Sequence, residues 1–362
     1  MADILWITGR RMVSDLASST ERGLFLALKM KGHNVTMHYP NENQSNKNDI
    51  DGLHPSLNDS KIKGMRSRAA SLSASKLIKN IDIENPPYLL VDWRLVPWIK
   101  NELSTYPNSW FLVDRGPPAF RGLLSKIQWI YWSKSWRIAN NFASGGLVVS
   151  EEHGRLVKSR SGASIPLCPI SGSVNASSIK PRSRIEIPES VAIVYVGRLD
   201  QNRGILDIQK IVDWGIESNT KLSIHIAGDG DSSSILRADS RITHHGILDH
   251  QKVHELLLKC DIGLLPMPPG IVWSTASPLK LAEYAAAGLA VVGTDHLGHR
   301  LEESSGWINL SDAEEWWKNG IMRFSDMTLD GWNDVHFSAQ SAAKKLTFER
   351  SAEKLVQFIK SV

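Results

Sequence analysis

SPLKLAEYAAAGLAVVGT, residues 277–294, is the stretch that decides the fold of this chain. Ser277 suits an N-cap, Pro278 the first helical position and Gly288 the place just past a helix C-terminus, so the sequence delimits a helix over 278–287 by itself. An apolar strand, 289–294, follows at once. A helix set between strands in this way opens at the carboxyl edge of a parallel sheet. There its unsatisfied N–H groups, around Leu279 and Lys280, and its dipole favour an anion. Lys280 and Glu283 are three apart and share a face, which lets one neighbour a phosphate while the other accepts hydrogen bonds from ribose hydroxyls. The plainer alternative is a surface ion pair on a helix.

Upstream, VGRLDQNRG (196–204) ends a buried strand in Gly197 and delivers Arg198 and Arg203 to the same kind of edge, where guanidinium forks suit a diphosphate. Two further elements lie between. AGDGD (227–231) is a glycine turn after a strand, and HHGIL (244–248) can set the backbone of Gly246 and Ile247 beside a nucleobase or simply turn into the next helix. Strands at 191–196, 222–228, 261–266 and 289–294 alternate with helices, and strands apolar on both faces imply a parallel sheet covered on both sides.

The first half repeats the layout. DILWIT (3–8), a turn at Gly9, a helix near 19–31 and a strand at 35–39 form a βαβ opening, and strands at 88–92, 110–114 and 145–150 continue it with a long helix near 121–142. Between the halves, residues 173–190 are polar and rich in Ser and Pro, the composition of a linker. The expected organisation is therefore two Rossmann-like α/β domains, 1–172 and 191–344. The amphipathic last helix, about 345–362, is expected to pack back on the first.

At 362 residues, 42% apolar and 22% charged, the chain suits two soluble domains. The opening apolar run is too short for a signal or a membrane span, which makes a cytoplasmic setting the expectation, and Cys168 and Cys260 sit in apolar segments as small buried hydrophobes. No HExxH or paired CxxC spacing occurs, so no metal or other cofactor is expected. The net charge of +4 is uneven: Lys61, Lys63, Arg66, Arg68, Lys76 and Lys79 fall in one acid-free stretch, and Arg121, Lys126, Lys134 and Arg137 in another. No nucleic-acid recognition motif accompanies them.

The ordered set GRL followed by a basic residue and glycine, AGDG, a short strand ending in glycine, and SPLKLAEYAAAGLAVVGT resembles the retaining glycosyltransferases of family 4, which have the GT-B fold. The likeness is continuous over about 191–300. It implies two parallel-sheet domains facing across a cleft and a nucleoside-diphosphate sugar as donor. By it Arg198 and Arg203 hold the diphosphate, Arg203 standing where the family usually has lysine, and Glu283 bonds the ribose; these three form the catalytic set. Gly9 in the first strand-turn, Gly197, Gly246, Ile247, Ser277, Leu279 and Lys280 complete the donor site. Thr275 stands where the family has a second glutamate facing the donor sugar, and a hydroxyl there still bonds a sugar.

The first domain is left for the acceptor. Asp114 and Arg115 follow one strand, Ser150 and Glu151 another, so each is placed to orient an acceptor hydroxyl or to serve as a turn or cap. Trp129, Trp132 and Trp136, among cations, read as a core stripe or as the anchors of an interfacial helix. In the second case 61–79 and 121–137 contact the inner face of a cell membrane and favour a lipid-linked or membrane-proximal acceptor; otherwise the sequence leaves the acceptor, a glycan or a lipid-linked molecule, unassigned. Two rival readings are a non-catalytic sugar-nucleotide-binding subunit, favoured by Thr275, and a sugar-nucleotide epimerase of the same fold.

Overall fold

A computed structural model describes residues 1–12, 18–42, 50–62, 64–118, 122–301 and 306–362. Lys63 and Arg121 of the two basic stretches lie outside the described residues. The chain forms two compact units, Met1–Ser171 with Phe348–Val362, and Gly172–Thr347.

In the first unit the strands are β1 (Asp3–Ile7), β2 (Asn34–Pro40), β3 (Leu53–Leu57), β4 (Tyr88–Asp92), β5 (Trp110–Val113), β6 (Gly145–Val148) and β7 (Leu167–Pro169). They form one sheet in the order β3-β2-β1-β4-β5-β6-β7, parallel throughout. The helices are α1 (Ser18–Met30), α2 (Arg66–Lys79), α3 (Lys100–Ser104), α4 (Leu123–Phe142) and α5 (Glu151–Ser161). Because β1, β4, β5 and β6 are buried along almost their whole length, they carry Ile, Leu, Val and aromatic residues without alternation.

The second unit holds β8 (Val191–Val196), β9 (Leu222–Ala227), β10 (Ile242–His244), β11 (Ile262–Leu265), β12 (Ala290–Thr294) and β13 (Ile308–Ser311), parallel in the order β10-β9-β8-β11-β12-β13. Its helices are α6 (Asp207–Glu217), α7 (Ser233–Ala238), α8 (His250–Leu257), α9 (Ile271–Ser274), α10 (Leu279–Ala286), α11 (Lys318–Ser325) and α12 (Leu329–Ala343). Both units are Rossmann-like α/β folds. The chain ends in α13 (Phe348–Ser361), which packs on α1 of the first unit: the Phe348 ring fills the space beside Gly23, where a Cβ would come within 2.3 Å of it, and Lys31 pairs with Glu353 at 2.6 Å.

Residues 173–190 are not a free spacer. Arg182 donates to the carbonyls of Cys260 at 2.7 Å and Ala287 at 3.2 Å, and both Arg182 and Arg184 pair with the buried Asp261. Asp261 also accepts from the Ala192 N–H at 2.9 Å. A buried carboxylate needs cations, and two arginines of the polar segment supply them, so the segment belongs to the second unit.

Candidate functional site

The parallel sheet of the second unit sends β8, β9, β10 and β11 to one carboxyl edge, and the loops there carry the residues of interest. β8 leads into Gly197, whose φ of 135° lies in the region that favours glycine and whose N–H donates to the Ala227 carbonyl at 2.8 Å. A Cβ on Gly197 would stand 2.9 Å from Lys280 Nζ, so glycine here makes room for an ammonium. The following Gly228, φ 139°, packs against Gly197 so closely that a Cβ would fall 1.8 Å from the Gly197 carbonyl oxygen. AGDGD is thereby the support of the GRLD loop: Leu199 N–H donates to the Asp229 carbonyl at 3.0 Å and Gln201 N–H to Asp231 at 2.8 Å.

Arg198 is half exposed, with its fork on Asp200 at 2.8 Å through both Nε and Nη2. Arg203, less exposed, stands 3.8 Å from the same carboxylate. Asp200 therefore aligns Arg198 and only neighbours Arg203, and the two arginines hold its carboxyl below the usual range, the Arg198 hydrogen bond foremost. Sequence reasoning passed over Asp200, although it lies between the two arginines. It also missed Tyr195, buried on β8, whose hydroxyl donates to the Arg198 carbonyl at 3.0 Å and is pushed by burial up to about 12.

Lys280 belongs to the same cluster. Its Nζ stands 5.3 Å from the centre of the Tyr195 ring, and burial, reinforced by Arg203 and opposed by Glu283, brings its pKa down to about 8. Glu283, one turn along α10, is raised by burial against the pull of Lys280 and His250. Lys280, Arg203 and Glu283 thus lie close enough to shift one another electrostatically, and Arg198 joins them through the shared Asp200 carboxylate. Cations gathered at a strand end and a helix start suit an anionic ligand.

Three details differ from expectation. The N-cap of α10 is Pro278, not Ser277, because the Ser277 hydroxyl accepts from the Gly172 N–H at 3.0 Å and the helix begins at Leu279. Among the described residues, none accepts from the N–H groups of Leu279 and Lys280. Thr275 is buried at the end of α9 and its Oγ1 donates to the Ile271 carbonyl at 2.8 Å, so the hydroxyl proton expected for a sugar closes the helix instead. At Gly246, φ 70°, the N–H donates to His244 Nδ1 at 3.0 Å and the carbonyl accepts from Gly228 at 2.7 Å, which occupies the backbone groups expected for a base. Ile247 beside it is 80% exposed.

In the first unit Gly9 donates its N–H to Asp92 Oδ2 at 3.2 Å. Asp114 is corrected from an acceptor ligand to a structural hub: wholly buried, it accepts from the indoles of Trp132 at 2.6 Å and Trp136 at 3.0 Å and from the Gly116 N–H at 3.1 Å, with His153 Nε2 3.3 Å away. Burial alone would raise its pKa, but His153 and the indoles outweigh it and the carboxyl lies below its ordinary range. Arg115 donates to the Ile170 carbonyl at 2.6 Å, and burial brings it down to about 10. Ser150 caps α5, accepting from the His153 N–H at 3.0 Å, and Glu151 is exposed in the first turn. Sequence reasoning missed Arg10 and the buried Glu21, an ion pair at 3.3 Å on the carboxyl edge of β1.

Two of the three tryptophans of the stripe belong to the core, whereas Trp129 is half-buried with Arg160 over its ring at 4.6 Å. Trp132 and Trp136 are fully buried on Asp114, while the outer face of α4 exposes Leu124, Ile127 and Ile130 among Lys126, Lys134 and Arg137. This face continues into α2: Tyr131 stacks on Trp98 at 5.3 Å, and Arg68 lies over the same indole at 5.7 Å. Ile62, Met65 and Leu72 are exposed beside it in sequence. Among the described residues no helix is long and apolar enough to cross a membrane, and no cluster of three or more His, Cys, Asp or Glu is placed to hold a metal ion.

Residues 190–322 match the family model described as glycosyl transferases, group 1. The matched stretch lies within the second unit. The chain matches no curated protein sequence. Among solved structures it is similar to sucrose-phosphate synthase of Thermosynechococcus elongatus, with 14% identity over 100% of this chain and 99% of that one and a TM-score of 0.76. It is also similar to WaaG, a glycosyltransferase involved in lipopolysaccharide biosynthesis, with 13% identity, 99% and 100% coverage and a TM-score of 0.69. A third is Anabaena Alr3699/HepE in complex with UDP, with 11% identity, 99% and 100% coverage and a TM-score of 0.67. At such identities the likeness is one of fold, and the fold is GT-B. The residues from Arg198 to Glu283 all fall within the matched stretch.

Proposed function

We propose that the chain transfers a glycosyl group, with retention of configuration as in family 4, from a nucleoside-diphosphate sugar to a glycan or lipid-linked acceptor reached at the inner face of a membrane. The observation that carries this reading is the linked set Arg198, Asp200, Arg203 and Lys280, together with the N–H groups of Leu279 and Lys280, which have no acceptor among the described residues. Those groups suit a diphosphate, and Glu283 one turn on suits a ribose. UDP is bound in the structure of Alr3699/HepE. As the bond from C1 of the sugar to the diphosphate oxygen breaks, its electron pair stays on the phosphate, and the fixed cations stabilise the growing charge without a metal ion. The acceptor oxygen bonds to C1 and its proton leaves to a phosphate oxygen or to water.

For the acceptor side, the exposed apolar and cationic face of α4 and α2 supports contact with an anionic leaflet, which is the cytoplasmic one. A thermal-shift screen of nucleoside-diphosphate sugars, followed by NMR of the released anomer, tests the reading. Stabilisation with turnover and a retained anomer is expected, and no stabilisation by any donor overturns it. A second reading, a sugar-nucleotide-binding subunit without turnover, is favoured by the burial of Thr275; stabilisation without hydrolysis or transfer would select it.

A further inference from the structure

One contact at the donor edge is used neither by the fold nor by the reading above. The guanidinium carbon of Arg203 lies over the indole of Trp273, 5.0 Å from the ring centre. Trp273 is in α9, on the loop after β11, and Arg203 is in the loop after β8. The two loops are locked by their backbones as well. Gly204, φ 71°, approaches the chain beyond β11 so closely that a Cβ would fall 1.9 Å from the Pro266 carbonyl oxygen. The Trp273 side chain is partly buried and packs against the core of the second unit, and the residue's backbone N–H donates to the Gly270 carbonyl at 3.1 Å. The indole is therefore a fixed surface rather than a mobile one.

A guanidinium is planar and directs its N–H donors outward in its own plane, so stacking engages the face and leaves the edge for an anion. The competing hold on Arg203 is weak: Asp200 is 3.8 Å away and already takes both Nε and Nη2 of Arg198. Arg203 also donates to the Tyr195 hydroxyl oxygen. Without the indole, a long side chain would sample several rotamers and lose that freedom on binding.

We propose that Trp273 is a positioning residue of the donor site, holding the Arg203 guanidinium by its face so that its edge is presented to the diphosphate. This rests on the reading of Arg203 as a diphosphate ligand. The stack is compatible with occupancy, because an anion that draws Arg203 off Asp200 does not compete for its face.

The test is calorimetric titration of the full chain with UDP, GDP, ADP and dTDP. Trp273→Leu, which keeps apolar bulk but removes the ring face, should weaken the best-binding nucleotide by roughly 3- to 30-fold with the melting temperature little changed. Trp273→Phe should restore affinity to within about threefold. Arg203→Ala should cost at least threefold less in the Leu background than in the native one, a coupling that a merely structural tryptophan would not show. Trp273→Met tests the same loss if the Leu variant does not fold. Equal affinity of the Leu, Phe and native chains, or additive effects of the two positions, overturns the proposal. A native chain that binds none of the four nucleotides overturns the donor reading itself.

Discussion

Lys280 Nζ stands over the ring of Tyr195, 5.3 Å from its centre, in a setting where burial and Arg203 bring the amine down to about 8. A bound diphosphate supplies the negative charge that draws this value back up, so above pH 8 binding takes up a proton. Affinity for a nucleoside diphosphate should be level from pH 7 to 7.5 and then fall by up to about tenfold per pH unit towards pH 9.5. Lys280→Met should flatten that profile. A native profile that is level through pH 9.5 contradicts the assignment. Folding stability runs the opposite way: the unfolded chain keeps this proton to about pH 10.5 and the folded chain only to about 8, so between those values this residue makes stability rise with pH.

Arg198 is half exposed and touches no core residue through its fork, so its removal should spare the fold. Arg198→Ala is expected to lower kcat by about 10²- to 10³-fold, the loss typical of one donor to a developing anion, with an unchanged melting temperature. A variant with native turnover would remove Arg198 from the mechanism.

Asp114 is a different case, since its carboxylate is the buried acceptor for two indoles with an imidazole beside it. Asp114→Ala should destabilise the first unit by about 3–5 kcal/mol, read by urea unfolding, because the donors around it are left without an acceptor. Its depressed pKa means that this contribution is present above the ordinary carboxyl value of 3.8 and is lost as pH falls through the lower, folded value. A selective loss of turnover with native stability would return it to the acceptor site.

Ile127 and Ile130 are exposed at 44% and 68% on the cationic face of α4. Replacing both with Glu should reduce sedimentation with vesicles rich in phosphatidylglycerol by more than tenfold, through lost apolar burial and added repulsion, while nucleotide affinity is unchanged. Equal sedimentation of the double variant and the native chain would dismiss this face as a lipid contact.

The segments legible in the sequence are those with one dominant physical signal. β8, β11 and β12 are uninterrupted apolar runs because both faces are covered, and Gly288 ends α10 with φ 73° because only the left-handed conformation fits there. α2 gave no such signal: its buried stripe is Ala70, Ser71, Ala74 and Ile78, mostly small residues that do not register as apolar periodicity. β3, with Pro55 on an exposed sheet edge, was equally hidden. At the site, Arg198, Arg203, Lys280 and Glu283 could be read because charge at a strand or helix end is local in sequence. Asp200 was within reach of the same local reasoning, since its partners Arg198 and Arg203 are two and three residues away. Trp273 and the fate of the Thr275 and Ser277 hydroxyls depend on contacts between loops far apart in the chain, or on which of several local acceptors a hydroxyl chooses.

Gly172 and Ser277 give α10 an unusual start. With the serine hydroxyl turned to the Gly172 N–H and a proline at the cap, the Leu281 N–H reaches the Pro278 carbonyl at 3.0 Å, but the N–H groups of Leu279 and Lys280 find no acceptor among the described residues. Its amides at 279–280 should exchange with deuterium quickly in the free protein, and an anion seated on them would act as the missing cap and slow that exchange. The helix end is in this sense left unfinished by the chain, and its rigidity becomes a report on occupancy.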